Sequence, residues 1–80
     1  MGKIKPTDPL KLFGDNVKKL REAKGLSLRN MATRCRIDHS DIGKIEKGEK
    51  NITILTIIEL AKALEAHPKK LFDIPFDLED

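Results

Sequence analysis

Ser27 to Lys47, SLRNMATRCRIDHSDIGKIEK, decides how this chain folds. Leu28, Met31, Ala32 and Cys35 recur at i, i+3, i+4 and i+7, one face of a helix. Arg36 and Ile37 interrupt the pattern, and Asp38 offers a side-chain oxygen where a second helix begins. Asp41 can bond back to the backbone of Asp38, a variant of the capping box. In this second helix, about His39 to Lys47, Ile42 and Ile45 point one way. His39, Ser40, Asp41, Gly43, Lys44 and Lys47 point elsewhere. So thin an apolar stripe suits a helix laid in a groove better than one in a core. Two short helices joined by a turn of three or four residues make a helix-turn-helix.

The flanking segments read as three more helices. Upstream, Leu10, Phe13, Val17 and Leu20 have the spacing of an amphipathic helix from about Pro9 to Lys24. Gly14 weakens it by roughly 1 kcal/mol relative to Ala, and Gly25 is a natural left-handed stop. Lys18, Lys19 and Lys24 suit its C-terminal half. Ser27 caps the next helix. Downstream, Thr53 caps a helix over Ile54 to Glu65 that is apolar around most of its circumference, with Leu55 or Ile58 turned toward a partner. His67-Pro68 opens a short fifth helix through Phe72, with Pro68 at its first position. Residues 1–8 read as a loose arm, 9–73 as one domain, and 74–80 as a tail whose Ile74, Phe76 and Leu78 are apolar between acids.

Composition sets limits. An 80-residue chain is one domain, and at this size it buries only about 60–65% of the surface its unfolded form exposes. One cysteine and two separated histidines offer no disulfide and no metal-ligand cluster, so neither metal nor cofactor is expected. No apolar run is long enough to span a membrane and the N-terminus lacks a signal-peptide h-region, which implies a cytoplasmic setting. There is no nucleophile–base pair at workable spacing and no phosphate-cradling glycine loop, so an enzyme is not expected. The net charge of +3 is unevenly spread: residues 1–50 carry 13 Lys/Arg against 7 Asp/Glu, residues 51–80 carry 3 against 6. A basic part holding the motif and an acidic end suggest one polyanion-binding face and a separate non-binding one.

From about Leu20 to Phe72 the chain resembles the phage-repressor/Cro type of helix-turn-helix regulator, the xenobiotic-response-element family. Leu20, Arg21, Gly25, Leu26, Ser27, Met31, Ala32, Ile37, Ser40, Ile42, Ile45, Glu46, Gly48, the run LAKAL at 60–64 and Leu71-Phe72 carry the likeness. It implies an all-α, five-helix, lambda-repressor-like DNA-binding domain. By position, His39, Ser40 and Lys44 match the base-edge readers; Lys donates to guanine, and His donates or accepts according to tautomer. Asp41 either accepts from cytosine or caps the helix and pairs with Lys44, the second being favoured. Ser27, Arg29, Arg36, Lys47 and Lys50 are the expected backbone contacts. Arg21 and Glu46 are implied to form a structural ion pair. Two departures stand out. Leu28 occupies a position where the family commonly has a phosphate-bonding Gln, and Arg36 replaces the usual turn Gly, either taking positive φ at a cost or shifting the turn.

The expected function is binding of a palindromic double-stranded DNA operator by a homodimeric transcriptional regulator, in the sense of a repressor. Leu55, Leu71, Phe72, Ile74, Phe76 and Leu78 are the candidate dimer surface. The rival is an antitoxin-like or co-activator-like module whose tail docks on a protein partner. Size exclusion separates the two: a dimer favours the first, a monomer with an exposed tail the second.

Overall fold

The computed structural model describes residues 8–76; most of the N-terminal arm, and Leu78 in the tail, lie outside the described residues. Five helices follow in order: α1 (Pro9–Ala23), α2 (Leu28–Ala32), α3 (His39–Glu46), α4 (Ile54–Leu64) and α5 (Pro68–Leu71). Four of them start on a local side-chain cap that satisfies an otherwise orphaned N–H. Asp8 accepts from Leu10 N at 2.9 Å, so it belongs to the helix and not to the arm. Ser27 accepts from Asn30 N at 3.0 Å, Thr53 from Thr56 N at 3.2 Å, and His67 Nδ1 from Lys69 N at 3.1 Å. The start of α3 differs. Asp38 makes no side-chain cap bond, because its carboxylate accepts from the Ser40 hydroxyl instead.

The core gathers Phe13 and Val17 from α1, Leu26, Met31 from α2, Ile42 and Ile45 from α3, Leu60, Ala61, Ala63 and Leu64 from α4, and Leu71 from α5. Each large aliphatic side chain fully buried here contributes about 1.5–3 kcal/mol. Helix α3 packs against both α1 and α2, while α4 touches α1, α2 and α5. The seat of α3 on α1 is close: a Cβ at Gly14 would stand 2.2 Å from the carbonyl oxygen of Ile45. Asn16 donates its amide to the carbonyls of Lys70 and Leu71, at 2.8 and 3.0 Å, and so holds α5 to α1.

Several expectations are corrected. Helix α2 ends at Ala32, so its link to α3 spans residues 33–38 and is longer than the three or four residues anticipated. Thr33 and Arg34 close it with bonds back to Asn30 O and Met31 O. Arg36 does not take positive φ; among described non-glycine residues only Glu65 does, at +52°, where α4 ends. Leu71 is no surface residue: it is 0% exposed, because α5 turns that side onto the core. Apolar character around α4 is also not burial. Ile54 and Leu55 are 76% and 78% exposed; Ile57 packs only partly against the core, and fully buried positions begin at Leu60.

Candidate nucleic-acid interface

Helix α3 is fixed from below by three buried residues, Ile42, Ile45 and Glu46. Glu46 receives Arg21 in a two-pronged pair: Nε is 2.6 Å from Oε2 and Nη2 is 3.0 Å from Oε1. The third arm of the guanidinium donates to Leu26 O at 2.7 Å. One side chain of α1 therefore ties the end of α3 to the residue preceding the cap of α2. Its hydrogen bond to Glu46 drives the Arg21 pKa further up, against the opposing effect of burial.

With that face spoken for, the outer face of α3 offers Ser40, Lys44 and Lys47 to solvent and His39 half-buried beside them. Lys44 makes no ion pair among the described residues, which leaves its ammonium available to an acceptor. The Ser40 hydroxyl donates to Asp38, which together with the nearby His39 holds the Asp38 carboxyl below its usual range. His39 Nδ1 lies 3.7 Å from Asp38 Oδ1. Ser40 therefore keeps only its acceptor lone pairs for a ligand while that bond lasts.

Asp41 neither returns a bond to Asp38 nor pairs with Lys44. It faces Lys50 Nζ at 3.2 Å. The chain reverses after α3 through Gly48, at φ +75°, and this brings the following loop back beside the helix. Of the expected backbone contacts, Arg29, Arg36 and Lys47 are exposed, the Ser27 oxygen is engaged as a cap, and Lys50 is engaged with Asp41.

Sequence reasoning passed over Glu59. Its Oε1 accepts the backbone N–H of Arg36 at 3.0 Å, pinning the α2–α3 turn to α4. That bond first, and Lys62 second, hold its carboxyl below the usual range. The available signal was a lone acid inside the apolar run ILTIIELAKAL.

Among the described residues, Ile54, Leu55, Ile58 and Phe72 are the exposed large apolar side chains. Phe72 also stacks on Phe13 and Phe76, with centroids 5.2 and 6.5 Å away. A groove of about 300 Å³ runs beside them, lined in part by Leu10, Phe13, Ile52, Ile57 and Phe76. Ile74 packs partly against the chain's own core, and Phe76 against its own Phe72.

The sequence profile of the helix-turn-helix family matches residues 17–71, the stretch that contains α2, α3 and the Arg21–Glu46 pair. The chain belongs to that family. Control protein C.BamHI of Bacillus amyloliquefaciens is a relative within reach of direct alignment, 35% identical over 63 residues that cover 78% of each chain. Among solved structures, the restriction-modification controller protein C.AhdI from Aeromonas hydrophila superposes with a TM-score of 0.77 at 40% identity, over 79% of this chain and 96% of that one. The controller protein C.Esp1396I, solved as a tetramer in complex with its natural 35-base-pair operator, matches with a TM-score of 0.74 at 28% identity, over 80% and 84% of the two chains.

Proposed function

We propose that the chain is a sequence-specific double-stranded DNA-binding regulator of transcription, a repressor acting as a homodimer on a palindromic operator. The carrying observation is the polar outer face of α3, held from beneath by a buried ion pair and left exposed at Ser40, Lys44 and Lys47 by the described residues. A helix so presented fits the major groove, with half-sites about 34 Å apart for a two-fold dimer. His39, Ser40 and Lys44 read base edges. Arg29, Arg36 and Lys47 neutralise phosphates, and Lys50 joins them when it leaves Asp41. The operator complex of a relative supports this reading. Such a regulator works in the cytoplasm, performs no catalysis and requires no cofactor.

The test is selection of bound duplexes from a random pool, followed by binding of Lys44→Ala to the selected site. Loss of about 1–3 kcal/mol on the selected site, with little change on random DNA, is the expected result. An equal loss on both would make Lys44 a phosphate contact. Failure to enrich any sequence would end the reading.

A further inference from the structure

We propose that the cleft between α1 and the α2–α3 pair is a phosphate seat for the same duplex, with Lys18 of α1 as its principal donor. The inference rests on the DNA-binding reading above and adds α1 to the contact surface. The cleft measures about 220 Å³, several times the roughly 30 Å³ that one water occupies. Lys11, Asp15 and Lys18 line it from α1, Leu28 from α2, and Gly43 and Lys47 from α3, with the Arg21–Glu46 pair also lining it.

Charge within the cleft is not balanced. Glu46 cancels Arg21, and Asp15 forms an ion pair with Lys11. Lys18 and Lys47 are exposed and have no carboxylate partner among the described residues, so a surplus of two positive charges remains. Leu28 supplies no hydrogen-bond donor on this wall. An anion here is therefore recognised by ammonium groups acting as point charges.

Position selects which anion. Lys47, the C-cap of α3, lies one turn after Gly43, and His39 lies one turn before it, so all three share a stripe. A duplex lying along that stripe brings its sugar-phosphate edge over the mouth of the cleft. Gly43 keeps the α3 wall low: among the described residues, a Cβ there would meet only the Leu28 Cδ1, at 3.6 Å. Asp15 and Glu46 are the two carboxylates of the lining, masked by Lys11 and Arg21 respectively. Lys18 and Lys47, free of such a partner, face the backbone together.

The experiment measures equilibrium binding of the full chain to two labelled duplexes of equal length, the selected site and a random sequence, across 50–200 mM salt. Lys18→Ala should weaken binding to both by the same factor and lower the slope of log K against log salt by about one. Lys18→Arg should restore the slope, and Lys69→Ala on α5 should leave it unchanged. A wild-type slope in Lys18→Ala, or a loss confined to the selected site, overturns the seat while the DNA-binding reading stands. If the wild-type chain shows no salt-dependent DNA binding, that reading fails and takes the seat with it. An unchanged thermal midpoint for Lys18→Ala shows that the fold is intact.

Discussion

Gly14 and Gly43 each interrupt an amphipathic helix, and by propensity alone each costs about 1 kcal/mol relative to alanine. Their surroundings give opposite predictions. A Cβ on Gly14 would stand 2.2 Å from Ile45 O and 2.6 Å from Glu46 O, both backbone atoms that cannot swing away. Gly14→Ala should therefore lower the thermal midpoint, since forced repacking costs about 1–3 kcal/mol. Gly43→Ala meets a flexible side chain at ordinary contact distance. It should raise the midpoint by roughly 4–8 °C, yet weaken operator binding by crowding the outer stripe. Paired melting and anisotropy measurements check both. The Gly14 outcome was not legible in the sequence, where periodicity records a helix's own cost but not what approaches it. Gly43 could be read there as a costly residue that allows close approach to DNA. The Arg21–Glu46 pair is the contrary case. The likeness to known regulators implied it, although no local pattern links residues 25 positions apart. With Arg21 8% and Glu46 6% exposed, Glu46→Ala strands a buried guanidinium. It should cost about 3–5 kcal/mol in urea unfolding, and the double variant Arg21→Met, Glu46→Leu should recover much of it.

Helix starts were readable where the cap and its N–H are two or three residues apart, as at Ser27, Thr53 and His67, whereas Asp8 read as part of the arm and proves to cap α1. The start of α3 at His39, with Asp38 at its N-cap position, was readable too, but the bond expected there was not. Its Asp38 oxygen had a competing donor in Ser40, and this left Asp41 for a partner from the next loop. The α2–α3 turn was also misjudged, because its length depends on α4, which supplies Glu59 to the Arg36 N–H. This contact makes a pH-dependent prediction. Lys62 and Arg36 are the charged groups facing Glu59, and with the backbone bond they depress its folded pKa. Stability linked to this carboxylate is thus fully present above the ordinary Glu pKa and is lost as pH falls through the depressed folded value. The protection factor of the Arg36 amide in hydrogen exchange should follow that curve. Glu59→Gln, which keeps an acceptor oxygen, should hold protection and flatten the pH response; Glu59→Ala should lose protection throughout. A pH-independent protection factor in the wild type would remove Glu59 from this role.

At the scale of the whole molecule, the large apolar residues exposed among the described ones belong to the N-terminal half of α4 and to Phe72. A domain of this size has little reason to leave Ile54 and Leu55 in water unless something covers them. A second copy is the occupant that a palindromic site requires, because its two-fold axis places like patches against each other. Leu55 touches so little of its own chain that Leu55→Glu should leave the folded monomer intact by circular dichroism, whereas Leu71→Glu, in the core, should unfold it. On sedimentation, Leu55→Glu should run as a monomer where the wild type runs as a dimer. Its affinity for a two-half-site duplex should fall by about 10²–10⁴-fold, the avidity gained when a second module binds from the same complex. On a duplex carrying a single half-site, Leu55→Glu should match the dissociated wild-type chain, since the face of α3 is untouched. A Leu55→Glu protein that still sediments as a dimer would place the two-fold contact elsewhere on the domain. Loss on the single half-site as well would mean that α4 and the reading helix are coupled through the fold rather than through assembly.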